Sequence, residues 1–301
     1  MATLALPGTE TTSVQPVDRP TDRRGGRGTT SGKAGPVTYV LLTLTALVSV
    51  FPLYWTLVAG SHTNAEIAAT PPPFLPDADL FTNFGLALEQ APIGKAILNS
   101  VLVAGSITIG TVLFCTLAGF AFAKLRFRGK GLLLSLVIGT MMVPTQLAVI
   151  PLFMMIADLQ WVNQLQAVVL PTLVSAFGVF FMRQFLTSAL PDELLEAGRV
   201  DGASTHRIFW SIVVPVARPA MAVLAMLTFL TAWNEFFWPI IALTQANPTV
   251  QVALAGLGSG YVPQRAVIMA GTILGTLPVL IVFAVLGKQI VGGIMQGAVK
   301  G

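Results

Sequence analysis

Few side chains in this sequence could do covalent or metal chemistry, and their spacing narrows the choice sharply. Histidine occurs only at His62 and His206, and cysteine only at Cys115. There is no H-E-x-x-H motif, and one cysteine makes neither an internal disulfide framework nor a multi-cysteine metal site. Cys115 reads as an inert buried thiol. Nucleotide chemistry needs a phosphate-cradling loop of the form G-x-x-x-x-G-K-[ST]. The nearest string, Arg27 to Ala34 (RGTTSGKA), has Arg27 in place of the first glycine and Ala34 in place of the hydroxyl residue. It also follows no strand, and reads as a decoy. No catalytic residue, metal ligand or bound cofactor is predicted for this chain.

The elements that carry the remaining polar residues follow from composition. Of 301 residues, 54% are apolar or aromatic and 10% are charged, against about 25% charged in a soluble domain. Too few charges remain to coat a water-soluble surface, so the bilayer is the expected solvent. Six segments supply the roughly 20 apolar residues that a helix needs to cross about 30 Å of hydrocarbon. They run over about 37–59, 98–123, 132–157, 165–186, 219–243 and 266–287. The expected fold is an all-α polytopic membrane protein over residues 37–301. Pro52, Pro144, Pro151, Pro171 and Pro278 fall inside these spans and predict kinks. Residues 1–36 hold five basic residues among Gly, Thr, Ser and Pro with no apolar run, and read as a disordered tail. They lack a signal-peptide apolar region, so the first span reads as uncleaved.

Lys and Arg are retained on the cytoplasmic side of a membrane. With the N-terminus inside, fifteen of the seventeen basic residues fall on inner segments, leaving only Lys95 and Arg265 outside. Both termini are therefore expected in the cytoplasm. The net charge of +4 is spread over these loops and predicts no nucleic-acid partner. His62 and His206 land on opposite sides, which forbids a shared metal site or triad.

The inner loop 187–218 is more patterned than a linker needs. Pro191 suits a helix start, and Asp192 and Glu193 in the first turn complement the helix dipole. Leu194, Ala197, Gly198 and Asp201 recur at helical spacing, Gly202 can turn the chain sharply, and Ser204 can cap a second short helix. There Ile208, Phe209, Ile212 and Val213 make an apolar stripe, and Pro215 is expected to end it. Two short helices hinged at a glycine make either a knob that docks into another protein or a hairpin lying along the headgroups.

The run Glu196-Ala197-Gly198-Arg199-Val200-Asp201-Gly202-Ala203, with Phe209, Ile212 and Pro215 following, resembles the EAA loop of permease subunits in binding-protein-dependent ABC importers. Gly198 stands where the family has a second Ala, predicting a more flexible helix, and Val214 where it has Leu. Met142-Val143-Pro144-Thr145-Gln146, Ala232-Trp233-Asn234-Glu235-Phe236 and the ending Gln296-Gly297-Ala298-Val299-Lys300-Gly301 resemble the maltose-type second permease of the sugar importers. The resemblance covers residues 37–301. It implies partners: a second homologous permease, two cytoplasmic ABC ATPase subunits carrying ATP and Mg, and an extracellular sugar-binding lipoprotein or periplasmic binding protein. It also implies that Glu196, Ala197, Gly198, Asp201, Gly202, Ala203, Phe209 and Pro215 couple the bundle to the ATPase. The stretch Asn247-Pro248-Thr249-Val250-Gln251, with the ending, is most similar to actinobacterial cello-oligosaccharide permeases.

Ionisable groups are costly within a membrane and mark pathways. Glu235 is the one such case, and with Asn234 it is either a sugar contact or part of an interfacial belt, the latter being favoured for Trp233 and Trp238. Thr145 and Gln146 are either pathway contacts or interhelical hydrogen-bond partners. The face Ala104, Thr108, Thr111, Cys115 and Ala118 fits close helix packing more often than a lumen. The outer loop 243–265 reads as a connection; similar permeases use it to reach into the binding protein, a role open to Gln245, Asn247 and Gln251. The alternative of a stand-alone secondary transporter or channel lacks the midplane ion site it would need, and an intramembrane enzyme lacks a nucleophile–base pair.

Overall fold

The computed structural model describes residues 35–260 and 263–298, with side chains as far as residue 284. Of the tail expected over 1–36 only residues 35 and 36 are described, and of the ending 296–301 only the backbone of 296–298. Two compact units are present, one reaching Val50 and one beginning at Phe51. The first holds the N-terminal part of helix α1 (Pro36–Gly60), which opens on a proline whose missing N–H has no helical partner to lose at that position. Its side chains from Val37 to Val50 are exposed and mostly apolar, and the hydroxyls of Thr45 and Ser49 donate back to the helix's own carbonyls. A helix that is apolar all round calls for an apolar solvent or a covering partner.

In the second unit, α2 (Asn64–Ile67) and α3 (Leu80–Gln90) lead to the 32-residue α4 (Ile93–Lys124). There follow α5 (Lys130–Thr140), α6 (Val149–Asp158), α7 (Gln166–Val169) and α8 (Ala176–Ala189). After them come α9 (Asp192–Val200), α10 (Thr205–Ile208), α11 (Val214–Asn234), α12 (Phe237–Ala242), α13 (Val250–Leu257) and α14 (Arg265–Ala298). No strand occurs among the described residues. Among the described residues four helices are long and apolar enough to cross a membrane, or up to six if each of two bent pairs is one span.

The bent pairs are the expected third and fourth spans, and both depart from the simple kink that the sequence suggests. The third breaks by 92° between Thr140 and Thr145. Pro144 sits in extended conformation there, and a 3₁₀ turn over Thr145–Ala148 restarts the chain. Proline has no N–H for the helix ladder and pushes the preceding residue out of the α region. The fourth span bends by 41° between Thr172 and Ala176, after Pro171. Ser175 caps the new helix by accepting the Gly178 N–H at 3.2 Å.

The fifth span also differs. Rather than starting near Pro219, one continuous helix runs from Thr205 to Asn234. It passes Pro215 through a π-turn at Phe209–Val213, closed by the Val214 N–H on the Phe209 carbonyl. A π-turn shifts the hydrogen-bond register and so carries the chain past a residue that cannot donate. The helix ends at Asn234, because Glu235 is extended, and α12 is a separate short piece.

Helices α4 and α8 approach each other closely. A Cβ on Gly119 would lie 2.7 Å from Met182 Cβ and 2.8 Å from the Arg183 nitrogen, and one on Gly178 would lie 2.7 Å from Cys115 Sγ. Small residues let two backbones approach where lipid offers no hydrophobic drive. Cys115, Met182, Leu186, Val213 and Ala217 are fully buried around this contact.

Candidate functional site

Two features stand out: a hairpin at one end of α4 and a cavity beside its middle. The hairpin begins with α9. Asp192 and Glu193 occupy its first turn and Arg199 its last, the arrangement the helix dipole favours. At its end the Ala203 N–H reaches the Gly198 carbonyl at 2.9 Å and the Gly202 N–H reaches that of Arg199 at 3.0 Å. This is a Schellman turn, which needs a left-handed residue just past the helix. Gly202, at φ +76°, supplies it. Ser204 then caps the next helix by accepting the Arg207 N–H at 3.3 Å. The second arm is the start of the fifth span, so the hairpin is built onto a membrane helix with no flexible joint at Pro215.

Leu195 and Gly198 face inward, where they join Ile208, Phe209 and Val213. Leu194, Ala197 and Asp201, expected on that stripe, are exposed. The buried face is thus rotated by one residue from the predicted one. Gly198 is not a loose joint: it is buried, and a Cβ there would lie 3.1 Å from Ile212 Cδ1. Of the residues assigned to coupling, Glu196, Ala197, Asp201, Gly202 and Pro215 are exposed, Ala203 is half-buried, and Gly198 and Phe209 are core. The exposed face also presents Leu194 and Val200, the latter 87% accessible. They escaped sequence reasoning because an apolar residue in a helix is assigned inward by default.

Lys124, the last residue of α4, donates to Asp192 at 2.8 Å and ties the bundle to the hairpin's first turn. This hydrogen bond and the charge of Lys124 hold the Asp192 carboxyl below its ordinary range, with Arg126 and Arg199 adding to the effect. His206 accepts a hydrogen bond from Trp210 Nε1 at 3.0 Å, one turn along the same helix. His62 is buried far along the chain, donating from Nδ1 to the Val58 carbonyl at 2.9 Å.

The cavity, of about 470 Å³, is walled by α4, the bent segment around Ser175, α11 and the Glu235 break. Its polar lining is Thr111, Thr172, Ser175, Thr228, Thr231 and Glu235, with Phe177 and Trp238 as aromatic walls. Glu235 accepts the Trp238 N–H at 3.2 Å, and Trp238 Nε1 donates to the Ala167 carbonyl at 3.0 Å. Trp233 and Trp238 are 2% and 7% exposed. They are packing residues of the bundle, which corrects their expected place in an interfacial belt. Asn234 points elsewhere and donates to the Leu230 carbonyl in its own helix. Thr145 and Gln146 lie exposed at the elbow of the third span, outside the cavity.

At the opposite end of α4, Asn99 donates to Asn247 Oδ1 at 3.0 Å and to the Pro248 carbonyl at 2.9 Å. Asn247 in turn donates to the Asn163 carbonyl at 3.1 Å. Gln245 donates to the Val252 carbonyl, and Gln251 is half-exposed on α13. The segment read as a connection therefore holds an ordered helix, α13, whose Val250, Val252, Ala253 and Leu257 are buried. Asn247 is committed to holding it down. Asn99 and Asn163, which complete the knot, were not singled out from the sequence, though an Asn within an apolar helix is a signal of such pairing.

A bundle of broken apolar helices with a cavity at its breaks and a rigid exposed hairpin at one end defines a multi-pass membrane transport subunit. Residues 115–295 match the family described as binding-protein-dependent transport system inner membrane component. The chain belongs to that family. It is 36% identical over 266 residues to the lactose transport system permease protein LacG of Rhizobium radiobacter, covering 88% of this chain and 96% of that one. It is 31% identical to the arabinooligosaccharides transport system permease protein AraQ of Halalkalibacterium halodurans, over 89% and 99% of the two chains. With the sn-glycerol-3-phosphate transport system permease protein UgpE of Yersinia enterocolitica it shares 32% identity over 86% and 95%. Its fold matches a chain in the crystal structure of a bacterial ABC transporter involved in the import of the acidic polysaccharide alginate, with a TM-score of 0.73 at 24% identity, over 84% of this chain and 94% of that chain.

Proposed function

We propose that this chain is a permease subunit of an ATP-driven carbohydrate importer in the bacterial cell membrane, taking sugar from an extracellular binding protein to the cytoplasm. The observation that carries the reading is the hairpin, a stiff Schellman-turned pair whose inner face is fused to the bundle core. A rigid lever transmits force; a loose one does not. The exposed face from Leu194 to Asp201 docks on a cytoplasmic ATPase, and closure of an ATPase pair moves α9 and, through the continuous helix from Thr205, the wall of the cavity. A second homologous permease completes the path. Hydrolysis belongs to the ATPase subunits, and both termini and the hairpin lie in the cytoplasm, as the distribution of basic residues favours. Residues 1–36 form the cytoplasmic tail and 37–301 the transmembrane domain. Glu235 contributes a sugar contact, and Gln245 and Gln251 lie where a binding protein would approach.

The test is purification from the native membrane in mild detergent, with identification of co-purifying chains and an ATPase assay. Recovery of a second permease and an ATPase is expected, with import lost in Gly202→Pro while membrane insertion persists. Proline fixes φ near −65° and removes the N–H given to Arg199, so the turn cannot form. A Gly202→Pro complex that imports at the normal rate would sink the coupling assignment.

A further inference from the structure

We infer that the cavity is a passage site for neutral, hydroxyl-rich ligands and rejects anionic ones, with Glu235 as the residue that sets this selectivity. The inference rests on the permease reading and adds a substrate class to it, one that the relatives leave open, since their names span a neutral sugar and a phosphate ester.

The argument is a count of donors and acceptors. Among the described residues no Lys, Arg or His lines the cavity. Thr111, Thr172 and Thr231 have given their hydroxyl hydrogens to backbone carbonyls, at 3.5, 2.9 and 2.9 Å. Both Trp238 N–H groups are also used, one on Glu235 and one on Ala167. The threonine oxygens keep lone pairs, and Glu235 keeps most of its acceptor capacity, since among the described residues it receives only the Trp238 N–H. Among the described residues Ser175 and Thr228 donate their hydroxyl hydrogens to nothing, so the wall offers mostly acceptors, two neutral hydroxyl donors and no cation. A sugar hydroxyl can donate to the acceptors. The phosphate or carboxylate group of an anionic ligand brings acceptors and a charge of the same sign as the Glu235 carboxylate, and meets no cation among the described residues to offset it. In an apolar bundle an unpaired buried acceptor and a like-charge contact are both costly. At about 470 Å³ the space falls in the usual range of ligand clefts, roughly 300–1,000 Å³.

Two measurements separate this inference from the reading beneath it. The first compares a deletion strain complemented with wild type, Glu235→Gln or Glu235→Lys for uptake of radiolabelled cellobiose, lactose, arabinobiose, glycerol-3-phosphate and a diuronate. The second measures binding of cellobiose, lactose and arabinobiose, and of the diuronate, to the purified complex in nanodiscs without its binding protein, which removes that protein's own selectivity. Gln keeps the acceptor for Trp238 and removes the charge, so a purely structural role of Glu235 would leave selectivity unchanged. The expected result is chain-dependent uptake and binding of neutral sugar only. Both should fall about tenfold in Glu235→Gln, the size of one lost charge-assisted hydrogen bond, with measurable diuronate binding gained. Equal binding of neutral and anionic sugars by wild type, no binding of any of them, or unaltered selectivity in Glu235→Gln would overturn the inference and leave the permease reading standing. Uptake of every compound unchanged on deletion would instead remove the permease reading itself.

Discussion

The contact between Gly178 and Cys115 offers a sharp test of how closely α4 and α8 must approach. An alanine Cβ at 178 would sit 2.7 Å from Cys115 Sγ and 3.2 Å from its Cβ, whereas ordinary contacts begin at 3.4 Å. The helices, or the sulfur, must therefore shift by about 0.7 Å, in a core where Cys115 is fully buried. Overpacking of this kind costs about 1–3 kcal/mol. Gly178 is near the start of α8, so the gain in helix propensity offsets at most about 1 kcal/mol of it. Cys115→Ala alone should cost about 1 kcal/mol through the space it leaves. In the double variant the new methyl occupies the volume that Sγ vacates, so its stability should return close to wild type. The expected coupling is about 1–3 kcal/mol, read from unfolding of the purified protein in SDS-containing mixed micelles. Because α4 and the segment before α8 both wall the cavity, import should be impaired in Gly178→Ala and recovered in the double variant. Additive effects within about 0.5 kcal/mol would refute the packing argument. Gly119→Ala is the control: its Cβ would meet the Arg183 nitrogen and the Met182 carbonyl carbon as well as a side chain, so Met182→Ala should not rescue it.

Three further outcomes follow from the hairpin. Gly202→Ala meets no neighbouring atom, so its cost is the left-handed backbone alone, about 1–2 kcal/mol; import per ATP hydrolysed should fall, and less than in Gly202→Pro. Gly198→Ala should be neutral or stabilising by up to about 1 kcal/mol, since only the movable end of Ile212 must yield; loss of import with normal assembly would show that the glycine is needed as a joint. The Lys124–Asp192 pair should weaken with acid. Because the Asp192 carboxyl titrates below its ordinary range in the folded protein, its stabilisation is complete above that range and is lost as pH falls through the lowered value. Asp192 is largely exposed, so the effect is local and modest. Hydrogen exchange in the first turn of α9 should quicken at low pH in wild type and already at neutral pH in Asp192→Asn.

The chain's own residues determine a good deal here without reference to packing. Low charge and six apolar runs impose a helical membrane protein, because only internally satisfied backbone survives in lipid. The turn at Gly202 and the cap at Ser204 are local hydrogen-bond chemistry and are legible for that reason. Periodicity fails where a decision depends on a neighbour. Whether Pro144 kinks or breaks a span, and whether Pro215 stops a helix, depends on which groups stand ready to re-satisfy the freed backbone; one became a 92° elbow and the other vanished into a π-turn. Leu194 and Leu195 are chemically identical, and only docking against Ile208 and Phe209 decides that the second is buried. The tryptophans likewise went inward because Ala167 offered a carbonyl to Trp238, and Ala96, Ala104, Val250 and Ala253 from other helices packed around Trp233. The cavity itself is tertiary throughout, since its wall draws on residues from Ile107 to Trp238, brought together only when α4, α8 and α11 meet.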